Sequence, residues 1–175
     1  MNRPSAPTER LAGADRAVEA LRIGMGMIWA LNLLFIILPS AEYWSSFSSV
    51  ASGFGSSTPG GPGFAGYVAH HPAFFSWAIA VATAYLAVAF LLGFTTRLAC
   101  VVGVAASVIF LWTQYTSTFA FPGGTDVGAH PLYIAMYVAL LLGGAGRYWS
   151  LDRRVWRMGS PWLKKVGRWV AGPPA

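Results

Sequence analysis

The chain has 175 residues, of which 55% are hydrophobic and only 10% charged, against roughly a quarter charged in ordinary soluble domains. That composition excludes a typical soluble globular domain. The net charge of +6 reads as an attraction to anionic lipid rather than a nucleic-acid footprint. A single cysteine, Cys100, excludes an internal disulfide, a CxxC pair and a cysteine-rich metal site.

Residues 1–22 are polar and form a cytoplasmic segment, with Arg3, Arg10, Arg16 and Arg22 among Glu9, Asp15 and Glu19. Leu11, Val18 and Leu21 predict one face of a short helix lying on the membrane. A first span is expected over about 23–39, stopped by Pro39. It is longer than a usual signal-peptide core and no small-x-small cleavage site follows Leu38, so a retained span is expected, with signal-peptide cleavage the alternative.

A long connection follows, with a short interfacial helix expected around Glu42, Tyr43, Trp44 and Phe47. The Gly/Pro run over 53–63 breaks any helix there, and the connection closes on His70-His71-Pro72. A second span is expected over about 73–94. Thr95-Thr96-Arg97 is a tight polar turn into a third span, about 98–115, with Trp112, Gln114 and Tyr115 at its far end as interfacial anchors. A turn-rich segment, Phe121 to Pro131, carries Asp126 and His130 and feeds a fourth span, about 131–148. Residues 150–175 form a basic, tryptophan-rich cytoplasmic tail, whose Trp162, Val166, Trp169 and Val170 mark a membrane-surface helix.

Charge sets the topology. Of the twelve Lys and Arg residues, four precede the first span, Arg97 lies between the second and third, and the rest follow the fourth. The two remaining loops contain none, which puts both termini in the cytoplasm. The expected fold is an all-α membrane protein: a four-transmembrane-helix bundle over residues 23–149, multi-pass in the cell membrane, with amphipathic surface helices at its ends. A half-repeat runs through it. Leu91-Leu-Gly is echoed by Leu141-Leu-Gly, and His71-Pro72 by His130-Pro131.

All three histidines fall on the predicted outer side, with Glu42 and Asp126. Histidine and carboxylate at a membrane interface suit proton-coupled quinone chemistry: one group bonds a quinone carbonyl and another moves the proton. The candidate catalytic pair is Asp126 and His130. The candidate quinone-binding set is His70, His71, Glu42, Trp112, Tyr115 and Tyr133. Each also has a plain structural role, as loop pair, turn residue, helix entry or interface anchor. His70, His71, His130 and Asp126 are chemically able to hold a metal, but their spacing assigns none. No Walker or dinucleotide motif is present.

Three stretches together carry a family resemblance: Leu91-Leu-Gly-Phe-Thr-Thr-Arg-Leu-Ala99, Gly124-Thr-Asp-x-Gly128 and Gly144-Ala-Gly-Arg-Tyr-Trp-Ser-Leu-Asp152. Over about residues 20–155 the chain resembles the DoxX/DoxD family of small four-helix bacterial and archaeal membrane proteins, the DoxD branch in particular. The resemblance implies a subunit of a thiosulfate:quinone oxidoreductase, or of a related thiol-linked redox complex, passing electrons from a sulfur compound to quinone. It implies a partner subunit and transfers no catalytic residue. The alternative is a non-enzymatic membrane anchor or scaffold, or a small-solute carrier. A homo-oligomer stays open in both.

Overall fold

A computed structural model describes residues 7–45, 47, 61–113, 130–145, 150–152 and 154. Among them all the regular secondary structure is helical. Helix α1 spans Pro7–Leu31 and passes into a π-helix over Asn32–Ile37. Four short or long helices follow before the last: α2 (Ala41–Ser45), α3 (Gly61–His70), α4 (Pro72–Leu92) and α5 (Thr96–Thr113). The last, α6, spans His130–Gly143.

Two helices are long and apolar enough to cross a membrane: Gly13–Ile37 and Pro72–Leu92. The 21 residues of α4 rise about 31 Å, matching a hydrocarbon core of about 30 Å. Helices α5 and α6, at 18 and 14 residues, reach only about 27 and 21 Å. The four long helices pack as two pairs, α1 along α4 and α5 along α6, with α1 also touching α6 and α4 touching α5. One end of the bundle carries α2, α3 and the start of α6 (the loop end). The other carries the α4–α5 turn and residues 150–152 (the turn end).

Small residues set the close approaches. A Cβ at Gly26 would lie 2.7 Å from the Leu91 backbone nitrogen, and one at Gly103 would lie 2.5 Å from the Tyr137 ring. The α1–α4 pair therefore packs near backbone contact, and the α5–α6 pair seats an aromatic ring against a glycine, as small residues allow.

Two expectations change. The polar segment before residue 23 is not a separate surface helix: α1 runs through it unbroken. Val18 and Leu21 pack on the core, while Glu19 and Arg22 are buried. The physical reason is the spacing of Val18, Arg22, Met25 and Trp29, which puts all four on one helical face. The Gly/Pro run also does not hold the chain out of helix up to His70, because α3 begins at Gly61. Pro62 sits in its first turn, where a missing N–H leaves no hydrogen bond unmade. The expected short helix near Glu42 and the His-Pro entry at 71–72 are present, and the turn expected over 95–97 is found over 93–95, with Thr96 and Arg97 already in α5. His71 is the N-cap position of α4, and Pro72 starts the helix. The expected surface helix of the tail lies outside the described residues.

The turn end is held by a buried polar joint that draws on three distant parts of the chain. Gly93 closes α4 in the left-handed conformation, φ 62°, with the Phe94 N–H donating to the Ala89 carbonyl at 2.9 Å. Helix α6 closes in the same way, with Gly144 at φ 68° and the Ala145 N–H on the Leu140 carbonyl at 3.0 Å. Both helices thus end on the same C-terminal motif, although the second falls on Gly144, one residue past the glycine that the half-repeat pairs with Gly93. Arg22, fully buried, donates from Nε to Glu19 at 2.7 Å and from an NH group to the carbonyls of Phe90 and Leu91. A cation thereby sits on the last carbonyls of α4, where the helix dipole favours it.

Asp152 does the converse at α5. Its carboxylate accepts the N–H groups of Thr95 at 2.8 Å and Thr96 at 3.1 Å, and the Thr96 hydroxyl at 3.2 Å. Its own N–H donates to the Gly93 carbonyl at 3.0 Å. A residue 56 positions away thus supplies the N-terminal cap of α5. Burial pushes the Asp152 carboxyl above its ordinary pKa, while the Thr95 and Thr96 donors and the Arg22 charge pull it down.

Candidate functional site

Helices α1, α3, α4 and α5, with Phe47, enclose a half-open cavity of about 250 Å³ toward the loop end. Its wall on α4 is a stripe: Phe75, Ala78, Ile79, Ala82, Thr83 and Leu86. That spacing places all six on one helical face. Opposite stand Ala106, Ile109 and Phe110 of α5, with Trp29 of α1 on one flank and Phe64, Ala65 and Val68 of α3 at the mouth. Among the described residues the lining is apolar except for the side chains of Thr83 and Trp29, with their hydroxyl and indole nitrogen.

An aromatic array continues from this wall into the core. Phe110 stacks flat on His130, centroids 5.1 Å apart at 4°. His130 meets Tyr133 edge-on at 5.8 Å, and Tyr133 lies 5.9 Å from Trp29. The Trp29 indole N–H donates to the Tyr137 hydroxyl at 2.7 Å, and Tyr137 stacks on Phe90. Antiparallel packing sets this order: Gly103 faces Tyr137 and, two turns nearer the loop end, Phe110 faces His130. Ser107 lies between these levels, buried, and its hydroxyl has no partner among the described residues.

His130 is 5% exposed, a histidine enclosed among rings rather than a loop residue. It stands behind Phe110, one ring removed from the cavity. Tyr133 is buried beside it. Trp112 is 39% exposed and packs its ring on Phe64 at 5.5 Å, at the cavity mouth. His70 and His71 are exposed, and His71 rests on Tyr67 at 4.7 Å. His130, Tyr133 and Trp112 are thus gathered around the cavity, and His70 and His71 stay on the surface. Glu42 lies in α2. Asp126 and Tyr115 lie outside the described residues. Among the described residues no three His, Cys, Asp or Glu side chains come together as a metal site would require.

Aromatic residues roof the loop end beside the cavity. The Tyr43 hydroxyl donates to the Ser76 carbonyl at 2.8 Å, tying α2 to the first turns of α4. Burial pushes the Tyr43 hydroxyl up to about 12. Trp44 packs on Trp77 at 4.9 Å.

Sequence reasoning passed over Trp29, Phe110 and Thr83, the residues that shape the cavity, because apolar positions in a membrane helix look alike whether they face lipid or a cavity. It also passed over the burial of Glu19 and Arg22. Their place on the Val18–Met25–Trp29 stripe is the signal that marks it. Comparison of the chain with protein-family models, curated proteins and solved structures returns no match.

Proposed function

We propose that this chain is a multi-pass membrane subunit of a quinone-linked oxidoreductase, and that the loop-end cavity receives the quinone ring. The observation that carries the reading is the cavity itself: apolar, half-open and walled by the ring on which the buried His130 stacks. An apolar cavity of about 150 Å³ takes benzene, so about 250 Å³ suits a larger, substituted ring. The open side leaves room for a lipid-like tail.

All four long helices span the bilayer in this reading, the two shorter ones with help from flanking residues. Both termini face the cytoplasm by the positive-inside rule, which puts the cavity toward the outer leaflet. Reduction of a quinone takes two electrons and two protons. Two thiosulfate anions, coupled through a new S–S bond, release two electrons, and the resemblance to the DoxX/DoxD family favours such a sulfur donor. The lone Cys100 is buried, so a partner subunit carries the sulfur site. His130 and Asp126 form the proton path, and Phe110 turns aside for the imidazole to reach the ring.

The test is extraction of quinone from the purified protein, followed by titration with added quinone. The expected result is one ring bound per chain, with quinone-linked turnover falling tenfold or more in His130→Gln, about 1.4 kcal/mol in the barrier. A bundle that arrives empty and binds no added quinone overturns the reading and returns the protein to the anchor, scaffold or carrier class.

A further inference from the structure

Among the described residues of the cavity lining, Thr83 carries the one hydroxyl. It is 3% exposed and makes no hydrogen bond among the described residues. A threonine inside a helix in lipid normally returns its hydroxyl to a carbonyl one turn back. The neighbouring span residue Ser76 does this, donating to the Ala73 carbonyl at 3.2 Å. Trp29, the other polar group in the wall, already spends its N–H on Tyr137. The cavity therefore offers a ligand one uncommitted polar group, at a fixed point on the rigid α4 face.

We propose that Thr83 is the specificity-determining contact of the cavity, selecting a ring that bears an oxygen over a plain hydrocarbon. This rests on the quinone reading above. A hydroxyl has one proton to give and lone pairs to receive. Thr83 donates to the carbonyl oxygen of a quinone and accepts the phenolic O–H of the quinol. It therefore holds both redox forms without a change of its own protonation state. A carboxylate in its place could only accept and would favour the quinol, and an ammonium could only donate and would favour the quinone. Phe110 and Trp29 supply ring contacts from the facing wall, and Thr83 fixes which edge of the ring faces α4.

The experiment uses the full-length protein in nanodiscs and two probes: a decyl-substituted dimethoxy-methyl-benzoquinone and decylbenzene, which lacks oxygen. Thr83→Val removes the hydroxyl at nearly constant shape, Thr83→Ser keeps it, and Thr83→Ala serves as a second hydroxyl-free variant. Thermal melts confirm that each is folded. The quinone is expected to bind Thr83→Val and Thr83→Ala roughly threefold to tenfold more weakly than wild type, and Thr83→Ser within about twofold, with decylbenzene binding unchanged in Thr83→Val. Infrared difference spectra of the quinone, labelled with ¹³C at one carbonyl, should show a lowered stretch in wild type and Thr83→Ser that is absent in Thr83→Val. Equal quinone affinity and an unshifted carbonyl in wild type and Thr83→Val overturn the role of Thr83 while leaving the quinone reading intact. Failure of wild type to bind the quinone at all overturns both.

Discussion

Asp152→Ala tests whether the turn-end joint holds the bundle together. The carboxylate accepts three hydrogen bonds, two of them from the backbone at the start of α5. Bonds to a charged group contribute about 1.5–3 kcal/mol each, and loss of a helix cap alone costs about 0.5–2 kcal/mol. Arg22 keeps Glu19 at 2.7 Å, so its charge is not stranded, and the full cost of about 3–5 kcal/mol for a broken buried pair does not apply. Water entering the vacated space recovers part of the lost bonding. The expected loss is about 3 kcal/mol, a fall in melting temperature of about 6–12 °C for a chain of this size. Asp152→Asn keeps one acceptor oxygen and should lose less, about 1–2 kcal/mol.

The pH response has a definite sign. Burial raises the folded-state pKa of Asp152, so the folded protein holds this proton at a higher pH than the unfolded chain does. The linked stabilisation is fully present below the unfolded value, near 4, and is lost as pH rises through the raised folded value. Acidification toward the unfolded value should therefore raise the melting temperature of the wild type, and Asp152→Asn should lack that component. Far-UV circular dichroism melts in detergent, from neutral pH down to about 4, measure both effects. An Asp152→Ala protein melting within 2 °C of wild type would refute the reasoning, as would an unchanged acid response in Asp152→Asn.

Three further outcomes are expected. Gly103→Ala drives a methyl into the Tyr137 ring, 2.5 Å from the new Cβ, and should cost about 1–3 kcal/mol, read from the same melts. Ser107→Ala removes a buried hydroxyl that has no partner among the described residues and should stabilise the protein by roughly 1 kcal/mol; a loss of that size would show that the hydroxyl is used. In a Cys100→Ser background, a cysteine at the exposed Tyr67 should react with an impermeant maleimide in intact cells, and one at the exposed Phe94 should not. Labelling at Phe94 alone would invert the topology.

The helices were legible where the physics is local. Pro39 ends the first apolar run, the chain turns at Gly93 to Thr95, close to the expected polar turn, and His71-Pro72 starts α4, each through neighbours in sequence. The α3 start was not, because Gly61-Pro62-Gly63 has a breaker's composition yet occupies the one helical turn that tolerates proline. Arg22 looked like a topological marker, since charge next to an apolar run usually is one. Its burial depends on carbonyls of Phe90 and Leu91 and on a carboxylate of Glu19, and the first two lie 68 and 69 residues away. At the candidate site, scarcity drew attention to Asp126 and His130; His130 stacks on Phe110 beside Tyr133, and Asp126 lies outside the described residues. The cavity itself was illegible, since an alanine or phenylalanine in a span carries no mark of which way it faces.

Two of the stretches behind the family resemblance, 91–99 and 144–152, meet in the Asp152 joint, and this has a consequence for how the protein is made. Thr96 leaves the ribosome well before Asp152, which follows 56 residues later. At about 5–20 residues per second, that interval lasts roughly 3–11 s. Throughout it the first amides of α5 have no carboxylate to cap them, while the rest of α5 and then α6 are synthesised. The joint is therefore a closing step in biogenesis: α6 must be delivered and its end turned at Gly144 before the earlier hairpin acquires its cap. A chain stalled or cut before residue 152 leaves the α4–α5 turn uncapped, which offers membrane quality control a defined defect to recognise.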